Sequence, residues 1–275
     1  MRTDLVIDVG MHVGKDTEFY ISKGFQVVGI EANPELAQQV AKRLSAYVSD
    51  GTLRIYNVAI ADRVGTTDFW VNSAHDNWGT TSAQFADRYA ALGGTNRCIA
   101  VPCMPFGQIL DECGSPYYLK VDIEGADLLC LEALHGRERP KYVSFGGGLN
   151  CMGFDGTFAG LSLLWNLGYR QFKVVNQGLN HTVRCPYPPL EGRFVDARFD
   201  GLCSGPFGEE APGKWLSAEE VLLKCRRLIR DQRDYGMNGR HFRSVWGRCY
   251  KKYRRLVGEP VEWWDIHAKL GAGIN

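Results

Sequence analysis

The sequence predicts an α/β fold of the Rossmann-like, doubly wound kind, a mostly parallel sheet with helices on both faces. Three observations predict it. Short apolar runs alternate with amphipathic stretches through the first two thirds of the chain, which is the pattern of successive βαβ units. The run Val6-Ile7-Asp8-Val9 closes on Gly10-Met11-His12-Val13-Gly14, a glycine turn leading into a helix. A second run, Val27-Val28-Gly29-Ile30, closes on Glu31, at the spacing where such a unit presents a carboxylate to a ribose.

Taken in order, strands are expected near 4–9, 26–31, 53–58, 117–122, 141–146 and 170–175. Helices are expected near 14–23, 34–48, 105–112, 125–134 and 157–167. Asn33-Pro34 opens the second helix with proline in its first turn, where the missing N–H costs nothing. Between 62 and 104 the alternation breaks. Thr66 to Asn72 and Arg97 to Val101 read as short strands, with a helix near 82–91 between them. The polar loop from Asn72 to Ser82 follows no packing pattern, and long loops in compact domains are commonly functional. From 177 to 214 the chain is dense in Gly and Pro and reads as irregular cover over a sheet edge. Ser217-Ala218-Glu219-Glu220 then opens a C-terminal helix with a capping box. This divides the chain into a Rossmann-like domain at 1–176 and an extension at 177–275 made of the cover and basic helices.

Bulk properties bound the function. With 275 residues, 45% of them apolar, the chain can bury a sizeable core. A formal net charge of +1 gives no global field toward nucleic acid. Residues 224–255 hold twelve Lys or Arg against Asp231 and Asp234, which reads first as a solvated helix face and second as a surface for an acidic partner. Nine cysteines, an odd and scattered set, read as reduced thiols with no disulfide framework, and no metal site is expected. With no basic-then-apolar leader and no apolar run near eighteen residues, the expectation is a cytoplasmic protein without a membrane span.

The first turn selects among nucleoside cofactors. Dinucleotide sites use G-x-G-x-x-G to admit a pyrophosphate, whereas this chain has Asp8-x-Gly10-x-x-x-Gly14 with His12 where the second glycine would fall. An aspartate at a strand end repels a pyrophosphate and suits a cationic ligand end. S-adenosylmethionine has a sulfonium, an amino group and no phosphate, so the turn argues for a methyl donor. Gly10 and Gly14 are read as giving it room, and Glu31 as holding its ribose.

Tyr117-Tyr118-Leu119-Lys120-Val121-Asp122-Ile123-Glu124-Gly125-Ala126-Asp127 supplies the second constellation. The strand ends in Asp122 beside the first turn, so Asp122 and Glu124 are expected to face the same crevice as Asp8. They are the first candidates for a base near an acceptor hydroxyl, and His75 in the polar loop is the second. Asp127 reads as a helix N-terminal carboxylate, and His12 as shaping the turn or touching the cofactor.

These segments together resemble the FkbM-type methyltransferase family. The matching motifs are Asp8-Val9-Gly10 through Gly14, Ile30-Glu31-Ala32-Asn33-Pro34, Asn57-Val58-Ala59-Ile60-Ala61-Asp62 with Gly65, and Leu119-Lys120-Val121-Asp122-Ile123-Glu124-Gly125-Ala126. The resemblance implies a Rossmann-like class I methyltransferase fold and methylation of a hydroxyl on a sugar, glycolipid or secondary metabolite. It also implies that Gly10 and Gly14 line the methionine end, Glu31 holds the ribose, and Ala59 and Asp62 lie near the adenine. Two positions depart from the family pattern: Met11-His12 replaces Ala-Asn, and Phe145-Gly146-Gly147-Gly148 stands where an acid commonly follows the strand. The expected partner is a small hydroxylated acceptor. The rival readings are a methyltransferase-like fold that binds a partner through its basic segment without catalysis, and a nicotinamide-dependent oxidoreductase.

Overall fold

A computed structural model describes residues 1–73, 76–91, 94–123, 125–146, 153–201, 203–236, 239–261 and 263–272. In chain order the elements begin with β1 (Arg2–Val9), α1 (Lys15–Ser22), β2 (Gln26–Ile30), α2 (Pro34–Arg43), α3 (Ser45–Ser49), β3 (Leu53–Tyr56), β4 (Ala59–Ile60) and β5 (Gly65–Asn72). They continue with α4 (Ala83–Ala91), β6 (Asn96–Met104), α5 (Phe106–Cys113), β7 (Pro116–Val121), α6 (Asp127–Glu132), β8 (Tyr142–Phe145), α7 (Gly153–Asn166) and β9 (Tyr169–Asn176). The C-terminal part adds α8 (Ala218–Tyr235), α9 (Val245–Leu256) and β10 (Trp264–Leu270).

Among the described residues the strands form a seven-stranded sheet in the order β3-β2-β1-β7-β8-β10-β9 and a small sheet in the order β4-β6-β5. The large sheet is parallel except for β10, which runs antiparallel to both neighbours. This is the doubly wound α/β architecture that the alternating pattern predicts.

Period-two alternation distributes the apolar residues to two layers. Leu5, Ile7 and Val9 of β1 pack with Ile109 of α5, Leu131 of α6, Leu164 of α7 and Leu228 of α8. Val6 and Tyr118 point to the other face, against Tyr20 of α1, Val40 of α2 and the aromatics Phe199 and Phe207. The Gly- and Pro-rich stretch therefore does the work of a helix layer over β7 and β8. Phe207 stacks on Tyr118 with centroids 4.2 Å apart, and Lys23 and Glu210 form a fully buried ion pair at 2.8 Å.

Two expectations need correction. The helix expected over 34–48 is interrupted at Leu44, whose backbone leaves the helical region so that its side chain enters the α1–α2 cluster. The division at 176 also does not separate the sheet from the extension, because β10 lies between β8 and β9 and completes the sheet from the far end of the chain.

The capping box forms as expected. Ser217 Oγ accepts from the Glu220 N–H at 3.3 Å, and the Glu220 carboxylate accepts from the Ser217 N–H at 2.8 Å. Replacing Ser217 with Ala is expected to cost about 1 kcal/mol, measured as a lowered denaturant midpoint at unchanged slope.

Candidate active site

The hydrogen-bond ladder runs one residue past the parallel strands and brings their ends to a common edge. The Gly10 N–H donates to Ile30 O at 2.9 Å, the Asp122 N–H to Val9 O at 2.9 Å and the Gly146 N–H to Val121 O at 3.1 Å. Gly10, Glu31, Asp122 and Gly146 thus share one edge. Because β10 runs the opposite way, it brings its first residues, Trp264 and Asp265, to this same edge, with Ile266 in register with Phe145. These groups wall a cavity of about 660 Å³. Trp78 and Tyr89, stacked at 4.8 Å, close it from the side of the small sheet, and Ile229 and Gln232 of α8 close it from the C-terminal side.

Gly10 has φ +84°, and a Cβ there would stand 1.9 Å from the Asp122 carbonyl oxygen. The turn's N–H groups are already engaged. Those of Gly10 and Met11 donate to Ile30 O, that of Gly14 donates to Met11 O, and that of His12 donates to Glu31 Oε2 at 2.8 Å. His12 takes the left-handed conformation, φ +52°, to make this contact. The second oxygen of Glu31 accepts from the Asn33 N–H at 2.8 Å. Burial pushes Glu31 up from its usual 4.5 to about 6, against the two backbone donors that favour the carboxylate. Each of its oxygens keeps a lone pair for a further donor.

Below the turn lies a buried ion cluster. Asp8 and Lys120 are register partners on β1 and β7, and the Lys120 ammonium donates to Asp8 at 2.9 Å and lies 3.3 Å from Asp16. Thr17 Oγ1 donates to Asp8 at 2.7 Å, and the Ser204 N–H donates to both Asp16 oxygens at 2.9 and 3.0 Å. Burial works against the lysine's charge, but Asp8, Asp16 and Asp122 together outweigh it and hold its pKa well above the ordinary value.

A carboxyl pair faces the cavity above this cluster. A Cβ on Gly146 would stand 3.0 Å from Oδ1 of both Asp122 and Asp265, so the two acids meet across the glycine. The Asp265 carboxyl also accepts from Gln177 Nε2, and Gln177 is itself held by Asn180. Burial raises Asp122 above the usual aspartate value, with Lys120 pulling it back. Asp265 goes up further, first through burial and then through the neighbouring Asp122. Lys120 favours the ionised form of both carboxyls, against the burial that disfavours it.

The expected site residues divide accordingly. Gly10, His12, Glu31, Ala59 and Asp122 line the cavity. Asp8 does not. It is fully buried and engaged by Lys120 and Thr17, since a carboxylate cut off from water needs a partner within the protein. Gly14 faces α2, where a Cβ would press on Val40 at 2.9 Å. Asp62 points to solvent, 77% exposed, beside Arg63. His75, Glu124, Gly147 and Gly148 lie outside the described residues. Lys120, Asp16, Asp265, Gln177 and Trp78 were missed by the sequence reading and line the cavity. Two of them carried a signal. Trp264-Asp265-Ile266-His267-Ala268-Lys269-Leu270 alternates apolar and polar like a strand, and Trp78 is a large aromatic in an otherwise polar loop.

The family model of the methyltransferase FkbM domain matches residues 8–148. No curated protein matches the sequence. Among solved structures, the chain is similar to precorrin-6y C5,15-methyltransferase from Geobacter metallireducens GS-15 at 13% identity, over 64% of this chain and 69% of that one, with a TM-score of 0.36. StiE O-MT residues 961–1257 match at 9% identity over 99% and 69%, with a TM-score of 0.40. Phosphoethanolamine N-methyltransferase 2 of Haemonchus contortus, in complex with S-adenosyl-L-methionine, matches at 11% identity over 98% and 49%, with a TM-score of 0.35.

Proposed function

The chain belongs to the FkbM methyltransferase family and has the Rossmann-like class I methyltransferase fold, and from that premise we propose that it is an S-adenosylmethionine-dependent O-methyltransferase. Its acceptor is a small hydroxylated molecule of the sugar, glycolipid or secondary-metabolite kind. One observation carries the reading. The carboxyls of Glu31, Asp122 and Asp265 converge on a cavity whose glycine turn has its N–H groups of Gly10, Met11, His12 and Gly14 engaged within the protein. A pyrophosphate needs such donors, so the same turn speaks against a nicotinamide dinucleotide.

The residues present suit the methyl donor. Glu31 would accept from the ribose hydroxyls, Val58, Ala59, Ile60 and Phe69 would cover the adenine, and the acid-rich end near Asp122 would face the cationic methionine end. When bound, S-adenosylmethionine supplies a methyl group on a positively charged sulfur. The protein's tasks are then to align the acceptor and to take its proton, and alignment alone supplies much of the rate in a displacement of this kind. Asp122, walling the cavity close to Lys120, accepts the hydroxyl hydrogen. Asp265, fixed by Gln177 and meeting Asp122 across Gly146, helps orient the acceptor beside it. This pair also explains the glycine after β8. The acid absent from residue 146 is replaced by Asp265 of the adjacent strand, and Gly146 leaves the room that both carboxyls occupy.

Calorimetric titration with S-adenosylmethionine and with NADH tests the cofactor. Micromolar binding of the methyl donor alone is expected, weakened at least tenfold in Glu31→Ala, about 1.4 kcal/mol. Binding of NADH alone, or of neither ligand, would overturn the reading.

The pH dependence follows from Glu31. Its folded pKa of about 6 lies above the ordinary 4.5, so the folded state favours the protonated form. Stability from this group is present below pH 4.5 and is lost as pH rises through 6, a difference of about 2 kcal/mol. Ribose binding uses the carboxylate, so cofactor affinity is expected to fall as pH drops below 6. Glu31→Gln should bind more weakly at neutral pH and show a flat profile. An unchanged wild-type affinity between pH 7 and 5 would remove Glu31 from the ribose site.

A further inference from the structure

Helix α9 is amphipathic in the reverse of the usual sense. Its inward side is polar or small. Arg254 is buried 3.6 Å from Asp231 of α8 and 3.1 Å from Glu259, and Gly247 packs so closely that a Cβ would meet the His241 carbonyl oxygen at 1.8 Å. Its outward side is apolar: Val245 is 63% exposed, Trp246 81%, Tyr253 57% and Leu256 78%. At 100° per residue these four positions fall within one arc of the helix, with Cys249 among them. The adjoining arc carries Arg248, Lys252 and Arg255, all exposed, and the helix contains no acid. Of the aromatics in this segment, Tyr235 and Tyr250 stack between helices with centroids 4.1 Å apart. Trp246 and Tyr253 face solvent instead.

A solvent-facing apolar arc flanked by unbroken positive charge fits an anionic lipid surface. The apolar side chains enter the acyl boundary, the tryptophan settles at the headgroup level, and the Lys and Arg groups meet lipid phosphates. A second copy of α9 could cover the apolar arc but offers no acid to Arg248, Lys252 and Arg255, since the helix contains none. Nucleic acid would use the cations and stack on Trp246 but offers nothing to Val245 and Leu256. We propose that α9 seats the protein on an anionic membrane surface, lying in the interface plane. Since Asp231 anchors α9 and the next residue, Gln232, walls the cavity, such a seat holds the cavity beside the bilayer. The proposal does not depend on the methyl-transfer reading.

Vesicle flotation of the full chain tests it, using phosphatidylcholine vesicles with and without phosphatidylglycerol. The wild type is expected to float with the anionic vesicles and to lose that binding at high salt. Trp246→Ser with Leu256→Ser, and separately Arg248→Glu with Arg255→Glu, should each lower the partition coefficient by roughly tenfold or more. All four side chains are exposed, so unchanged thermal melting is expected and separates lost binding from lost folding. Failure of the wild type to float, or flotation of both variants like the wild type, would overturn the proposal. So would absence of vesicle binding together with self-association or nucleic-acid binding that Trp246→Ser abolishes.

Discussion

Asp122→Asn is expected to lower kcat for methylation of any accepted hydroxyl by roughly 100- to 10,000-fold, about 3–5 kcal/mol in activation free energy. Asparagine keeps the size and the hydrogen-bonding shape of the side chain and removes only its ability to take a proton. Asp122 is one of three acids that hold the charge of Lys120, and Asp8 and Asp16 remain in the variant, so only a small change in stability is expected. The pH profile discriminates between roles. In the wild type, kcat/KM should rise with pH as Asp122 ionises, and that limb should vanish in Asp122→Asn. Asp265→Asn, which removes the neighbouring carboxyl but leaves the base, should lower kcat and keep the limb. An Asp122→Asn enzyme with unchanged kcat, or one whose loss is the same at every pH, would remove Asp122 from proton transfer.

Lys120→Met should have the largest effect on stability. It leaves Asp8 and Asp16 buried without their cation, a loss of roughly 3–5 kcal/mol for breaking a buried ion pair from one side. Thr17 and the Ser204 N–H still donate to the two acids, but neutral donors do not replace a charge in a dry interior. The pH dependence has a definite sign. Burial already raises Asp16 and Lys120 pulls it back, so without Lys120 its folded pKa should rise further above the unfolded value of about 3.9, and the folded state takes up protons. The deficit should be largest near neutral pH and shrink as pH falls toward about 4. Denaturant unfolding at several pH values measures it. A deficit below about 1 kcal/mol, or one independent of pH, would show that the cluster contributes little.

The parallel half of the fold and the Glu31 side of the cavity were legible because their signals are local. A strand, a glycine turn and an acid at a set distance are all read along a single stretch of chain. The ion cluster was not legible, because Asp8 and Lys120 meet only through strand register, more than a hundred residues apart in sequence. Lys120 is the one charge of β7 and Asp8 interrupts the apolar run of β1 from Leu5 to Val9, and two such opposite charges are the trace that pairing leaves. Asp265 escaped for a different reason. The glycine-turn pattern marks acids at the ends of parallel strands, whereas an antiparallel strand brings its first residues to that edge. Gly14 was misread because the same left-handed turn serves close helix packing as well as close ligand approach, and sequence does not say which neighbour arrives.

The insertion of β10 between β8 and β9 has a consequence for synthesis on the ribosome. At ordinary elongation rates about ninety residues, or on the order of ten seconds, separate the emergence of β9 from that of the strand that joins it to β8. Until then each flanking strand has an unpaired backbone edge, the condition that invites pairing with another chain. The sheet closes last where β10 reaches the cavity, so the nascent chain cannot assemble the Asp122–Asp265 pair early. Interrupting translation before β10 would therefore be expected to yield an aggregation-prone fragment lacking the pair, and not a smaller working enzyme.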